Sequence, residues 1–227
     1  MSHGVWSLCL LLRSMHVMGA GVRVECHFMS LCKQCQIHTA AFFDQVAHAG
    51  SEVSDADAGV LSELDFSIDY YGTFGPDGTC ESAAAGTEHG PDQCMTDRYH
   101  LCAQHLAGGI ATGAASKWLP YVHCMFMNSD MLKCGNNGHC GSRAEFKNAL
   151  SIVAPMCAEL TGMDKRPLQE CAEGQLGHEL QVASYNRTKA TASMSFAPVF
   201  VNGRCLQDAD HFWRKVPDQL RWGKTVL

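Results

Sequence analysis

The chain has no apolar stretch approaching the roughly 18 residues that a membrane-spanning helix requires, so no membrane span is expected. Strong charge of one sign is also missing. The formal net charge is −6 over 227 residues, and the basic stripes with interleaved aromatics of a DNA or RNA binder do not occur, so no nucleic-acid partner is expected. There is no Gly-x-Ser-x-Gly, which removes the nucleophile-elbow hydrolases. The 12 histidines never fall at His-x-x-x-His spacing, and only one close Cys-x-x-Cys pair exists. A zinc ribbon, which presents two such pairs, is therefore disfavoured and no metal is expected. Most of the histidines read as surface or loop residues. With 46% hydrophobic residues the chain can build one large soluble domain, or a domain carrying an insertion.

Cysteine, by contrast, is abundant, at 13 residues. The pair Cys32-Lys33-Gln34-Cys35 stands out because of its flanks. Upstream, Val22, Val24, Cys26 and Phe28 alternate with Arg23, Glu25 and His27, the period of a strand with one face more apolar. Downstream, Ile37, Ala40, Ala41, Phe43, Val46 and Ala47 recur at helical spacing until Gly50. The two thiols thus fall at a predicted helix N-terminus, where unpaired backbone N–H groups and the helix dipole favour thiolate over thiol. Strand, Cys-x-x-Cys, helix reads as a redox site of the thioredoxin type.

The N-terminus carries a short apolar core, Val5 to Leu12, followed by Gly19-Ala20-Gly21. Residues 1–20 are expected to be a secretory signal peptide cleaved near Ala20, leaving a domain over 21–227. An ordinary buried N-terminal segment is the competing expectation. Removing the leader discards Cys9 and leaves an even number of cysteines, as an oxidising compartment would use for staples. Asn186-Arg187-Thr188 is a glycosylation sequon, which fits secretory traffic. Cys26 reads as a small buried hydrophobe or a half-cystine.

Further along, Phe66, Ile68 and Tyr70 alternate with Asp65, Ser67 and Asp69, a second half-buried strand. Gly72 to Gly90 reads as a loop containing Cys80. The middle of the chain is helical in pattern, with Cys94, Leu101, Cys102 and His105 expected on one face. Cys134 and Cys140 bound a Gly/Asn loop whose ends a disulfide can tie. Phe146, Leu150, Val153, Cys157 and Leu160 form another helical stripe. Asn202-Gly203 between Val199-Phe200-Val201 and Arg204-Cys205-Leu206 is a strong hairpin signal, because both turn residues tolerate positive φ. A closing amphipathic helix is expected around Asp208 to Leu220. The order gives an α/β, thioredoxin-like fold with a disulfide-rich helical insertion at about 90–175. By analogy with that fold, Pro198 would be a cis-proline facing the Cys-x-x-Cys box.

A more specific signal lies at Thr87-Glu88-His89-Gly90-Pro91-Asp92-Gln93-Cys94-Met95-Thr96-Asp97-Arg98-Tyr99-His100-Leu101-Cys102. It resembles the signature of the gamma-interferon-inducible lysosomal thiol reductase family, Cys-Gln-His-Gly-x-x-Glu-Cys-x-x-Asn-x-x-x-x-Cys. His89, Gly90, Cys94 and Cys102 match in register. Thr87 replaces the first Cys, Glu88 the Gln, Gln93 the Glu and Asp97 the Asn. Ser30-Leu31-Cys32, Trp118-Leu119-Pro120 with Cys124-Met125, Glu170-Cys171-Ala172-Glu173-Gly174, Tyr185-Asn186-Arg187-Thr188 and Pro198 to Gly203 resemble the same family in order. The resemblance implies a thiol reductase of acidic lysosomal or endosomal compartments that acts on disulfide-bonded proteins. It also implies no bound cofactor, electrons coming from an external thiol such as cysteine or glutathione. Cys80, Cys94, Cys102, Cys124, Cys134, Cys140, Cys157 and Cys171 are the structural disulfide candidates, and Cys80 is a candidate for the half-cystine missing at Thr87.

In this reading Cys32 is the nucleophile and Cys35 the resolving thiol. Pro198, Lys33 and Gln34 belong to the substrate groove, Lys33 adding a favourable charge. Three alternatives stay open. One is an oxidase or isomerase on the same fold, since Lys33-Gln34 does not decide the direction of electron flow. Another is a non-catalytic disulfide-rich secreted protein. The third is a zinc site joining Cys32 and Cys35 to Cys134, Cys140 or His139.

Overall fold

The computed structural model describes residues 22–32, 35–37, 64–82, 90–108, 111–112, 117–133, 142–191 and 198–206. The expected signal peptide, most of the helix after Cys35, the Cys134–Cys140 loop and the C-terminal helix lie outside those residues, as do Lys33 and Gln34.

Strand β1, Val22–Phe28, occupies the centre of a five-stranded sheet. On one side it runs parallel to β2, Leu64–Tyr70, in the register Val22↔Leu64 to Phe28↔Tyr70. A short hairpin follows, β3 at Gly72–Phe74 and β4 at Cys80–Ser82, in the stretch read from sequence as a loop. Strand β5, Ala111–Thr112, pairs with the far edge of β2. On the other side of β1 lies antiparallel β6, Val199–Val201, which turns back into β7, Arg204–Leu206. The Asn-Gly turn forms as expected, with φ of 48° at Asn202 and 76° at Gly203.

The helices run between the sheet's two halves. They are α1 at Gly90–Leu106, α2 at Trp118–Met127, α3 at Ser129–Leu132, α4 at Arg143–Thr161, α5 at Lys165–Glu173 and α6 at Gln175–Thr188, with a 3-10 turn at Lys189–Thr191. Ser142 caps α4 by accepting the Glu145 amide, and Gly162 ends it in the left-handed region. Asp164 caps α5 through the Arg166 amide.

Trp118 stacks on Phe66 at 5.8 Å and Phe126 meets Phe28 edge-on at 6.3 Å, so α2 closes the apolar face of β1 and β2. The opposite face is covered too. His27 and Asp69, expected on the wetter side of half-buried strands, are both buried. Arg187 of α6 binds Asp69, and Thr191 binds His27. Beyond the short β5, side chains complete the open edge of β2. Gln104 Oε1 accepts the Ile68 amide at 2.9 Å. Ser184 Oγ accepts the Tyr70 amide, and Thr188 donates to the Tyr70 carbonyl, each at 2.8 Å. These bonds satisfy backbone groups that an edge would otherwise leave unpaired.

Among the described residues three disulfides staple the helical block: Cys80–Cys94 joins β4 to α1, Cys102–Cys171 joins α1 to α5, and Cys124–Cys157 joins α2 to α4. Two expected stripes stop short. His105 is exposed at the end of α1, and Leu160 is exposed in the last turn of α4, whereas Phe146, Leu150, Val153 and Cys157 are buried. Cys26 is a fully buried thiol, not a half-cystine.

Candidate active site

Strand β1 delivers the chain directly to the Cys-x-x-Cys box. After Phe28, the Cys32 amide donates to the Met29 carbonyl at 3.0 Å, closing a turn over Met29–Cys32. The Cys32 carbonyl then accepts the Gln36 amide at 3.1 Å. That bond makes Cys32 the N-cap residue of the helical segment containing 35–37. Gln36 Nε2 donates to Ser129 Oγ, tying this segment to α3.

Both cysteines are thiols, 8% exposed at Cys32 and 2% at Cys35. Burial pushes the Cys35 thiol well above its ordinary range, and a hydrogen bond to Cys32 and the charge of Cys32 push the same way. A backbone hydrogen bond from Met29 opposes them weakly. The proton therefore stays on Cys35 while Cys32 is the sulfur closer to solvent, an asymmetry suited to stepwise thiol–disulfide exchange.

Pro198 is buried at the start of β6, and its carbonyl accepts the His27 amide at 3.1 Å. Because β6 runs antiparallel to β1, the start of β6 and the end of β1 lie at the same end of the sheet. Pro198 thus lies at the end from which the Cys32 turn emerges. The expected cis bond involves Ala197, outside the described residues.

The turn is also held from α1. Ser30, two residues before Cys32, is buried; its amide donates to Asp97 Oδ1 at 3.3 Å and its hydroxyl to the Gln93 carbonyl at 3.3 Å. Gln93 Nε2 donates to the Tyr71 carbonyl at 3.3 Å, next to β2. Tyr185 of α6 donates its hydroxyl to Asp97 Oδ2 at 2.8 Å and lies 3.4 Å from the Cys80 sulfur. Behind it, Gln181 Nε2 donates to Tyr185 Oη at 2.9 Å and to the Cys94 carbonyl at 2.7 Å. Sequence reasoning missed this support. Its one visible trace was Asp97, noted as a departure from the family signature.

Of the disulfide candidates, Cys80, Cys94, Cys102, Cys124, Cys157 and Cys171 form the three bridges. Cys134 and Cys140 lie outside the described residues, and so does any zinc site built with them. Glu25, His27 and Asp69 do converge. However, His27 contacts Glu25 at 3.1 Å and Thr191 at 2.7 Å, while Arg187 takes both Asp69 oxygens. The group is an ion-pair cluster whose donor atoms are already spent. Asn186 is exposed on α6, whereas the hydroxyl of Thr188, its sequon partner, is buried against Tyr70.

A twisted sheet of this order, with a Cys-x-x-Cys helix start after the central strand and a helical block inserted before β6, is a thioredoxin-like fold. Among solved structures the chain is similar to reduced DsbA1 from Neisseria meningitidis, at 12% identity and a TM-score of 0.54, covering 96% of this chain and 94% of that one. DsbA from Xylella fastidiosa, described as an oxidoreductase, aligns at 13% identity and a TM-score of 0.48 over 90% of this chain and 87% of its own. MdbA from Corynebacterium diphtheriae, described as a thiol-disulfide oxidoreductase, aligns at 11% and 0.47 over 91% and 86%. No curated protein matches the chain in sequence. The profile of the gamma interferon inducible lysosomal thiol reductase family matches residues 23–144, more than half the chain. The chain belongs to that family and is a thiol–disulfide oxidoreductase.

Proposed function

We propose that this enzyme reduces disulfide bonds of protein substrates in an acidic endosomal, lysosomal or secretory compartment, reached through the leader at residues 1–20. The observation that carries this reading is the asymmetry of the pair: Cys35 is held protonated chiefly by burial and further by its bond to Cys32, which sits at the helix start.

Cys32 thiolate attacks one sulfur of a substrate disulfide, forms a mixed disulfide, and expels the other sulfur, which takes up a proton. Cys35 then gives up its proton and attacks Cys32. This releases the second substrate thiol and leaves a Cys32–Cys35 disulfide. Two equivalents of an external thiol, such as cysteine or glutathione, restore the dithiol and leave as a disulfide. On this reading Pro198, Lys33 and Gln34 contribute to binding an extended substrate segment. Near pH 5 an ordinary thiol with pKa about 8.5 is almost wholly protonated, so work in acid requires that the helix start favour the Cys32 thiolate. Asn186 carries a glycan on this reading. It is attached before folding, because Thr188 is buried afterwards.

The test is reduction of a denatured disulfide-bonded protein by the mature chain at about pH 5 and about pH 7, with Cys32→Ser as control. Turnover favoured in acid and lost in the variant supports the reading. Activity that survives in the variant removes Cys32 from the mechanism, and activity confined to neutral pH removes the acidic compartment.

A further inference from the structure

Asp97 is a carboxylic acid with no exposure to solvent, set between α1, α6 and the turn that carries Cys32. The groups that face it are few and neutral. Ser30 comes from the turn, Gln93 from its own helix, Tyr185 and behind it Gln181 from α6, and the Tyr70 phenol from β2. The nearest guanidinium in sequence, Arg98, is directed elsewhere: Nε donates to Gln181 Oε1 at 2.8 Å and Nη2 faces His178 Nδ1 at 3.3 Å. Asp97 binds the Ser30 amide, two residues from the attacking sulfur.

We propose that Asp97 is a positioning residue for Cys32: buried as a neutral acid it pins the Ser30 amide and the active-site turn to α1, and once ionised it is better served by water than by this cation-free pocket, so the pocket opens and the turn is held firmly in acid and loosened toward neutral pH.

The surrounding atoms accommodate the neutral form. Tyr185 Oη has three polar neighbours, Asp97 Oδ2, Gln181 Nε2 and the Cys80 sulfur. When Asp97 carries its own proton it donates to Tyr185 Oη, which still accepts from Gln181 and turns its own proton toward the bridged sulfur. Every donor then has an acceptor, which a buried network requires. The charged form gains the bonds from Ser30 and Tyr185 but pays for desolvation with no cation beside it. Burial accordingly raises Asp97 to about 7, against the pull of Ser30, Tyr185 and Gln93. An asparagine at this position would make the same contacts without a charge at any pH.

The activity consequence rests on the reading of Cys32 as nucleophile; the structural one does not. The experiment compares the full mature chain with D97N from about pH 4 to about pH 8, following unfolding by denaturant and exchange protection of the Ser30 amide. Folded Asp97 keeps its proton where unfolded Asp97 has lost it. The wild-type folded-to-unfolded ratio should therefore fall relative to D97N, approaching about tenfold per pH unit between about 4 and about 7, and run parallel above. Ser30 protection should fall with pH in the wild type and hold in D97N. Parallel profiles for the two proteins, or Ser30 protection that does not differ between them, would overturn the proposal. If D97N does not fold, the wild-type carboxyl is followed directly by NMR of carbon-labelled aspartate: Asp97 should titrate at about 7, and a midpoint at the ordinary value of about 3.9 refutes the idea. Cys32→Ser should leave the stability profile in place while abolishing reduction. A failed activity reading and a failed Asp97 reading are thus told apart.

Discussion

Arg187 grips both carboxylate oxygens of Asp69, Nε to Oδ2 at 2.8 Å and Nη2 to Oδ1 at 2.7 Å, and so fastens α6 to the strand beside β1. Asp69 is buried, and Arg187 is about half exposed. The pair therefore matters mainly for what its loss would strand. Arg187→Ala leaves a buried carboxylate whose remaining donor among the described residues is the Ser184 hydroxyl, at 2.8 Å. The expected loss is about 2 kcal/mol, below that of a fully buried pair because solvent screens the guanidinium. Arg187→Lys should fall between, since an ammonium cannot make the two-pronged contact. Denaturant midpoints of the three proteins check the order.

The bridges should contribute unequally. Cys102–Cys171 closes a separation of 69 residues and Cys80–Cys94 one of 14. In the chain-entropy account the longer loop stabilises more, by about 1 kcal/mol. Paired Cys→Ala replacement at 102 and 171 should therefore lower stability further than the same change at 80 and 94. An equal or reversed order, measured by denaturant unfolding, would show that native packing around the shorter bridge outweighs loop closure.

His100 gives a pH signature opposite in sign to that of Asp97. It is buried beneath Tyr70, whose hydroxyl meets Nδ1 at 2.7 Å, and burial lowers its pKa to about 3. The unfolded chain protonates this ring near its ordinary value, about 6.5, while the folded protein resists. Its contribution to stability is thus complete above about pH 6.5 and is lost as pH falls toward about 3. Ring resonances followed by NMR should show His100 neutral at about pH 5, within the range of an acidic compartment. A midpoint near 6.5 would mean that the ring is hydrated in solution.

The parts of this architecture that were legible in the sequence are those fixed by local pattern. Period-two alternation marked β1 and β2, Asn202-Gly203 marked the hairpin, and Cys32-x-x-Cys35 marked the turn between strand and helix. The hairpin of β3 and β4 escaped notice because strands of three residues show no alternation. His27, Asp69 and His100 looked like surface residues because the partners that permit their burial are distant in sequence: Thr191, Arg187 and Tyr70. Cysteine pairing is likewise a property of the folded chain, and spacing alone could not have joined Cys102 to Cys171. The role of Asp97 depends on three elements meeting around one carboxyl group, which no window of sequence contains.

The most direct test of the central claim, that Cys32 attacks and Cys35 resolves, is to trap the intermediate. The mature chain carrying Cys35→Ser is mixed with a disulfide-bonded polypeptide, quenched in acid and read by intact mass and peptide mapping. The account predicts a mixed disulfide on Cys32 that accumulates in Cys35→Ser, is transient in the wild type and does not form in Cys32→Ser. A stable adduct on Cys35 in the Cys32→Ser protein, or reduction continuing in Cys35→Ser at the wild-type rate, would contradict it.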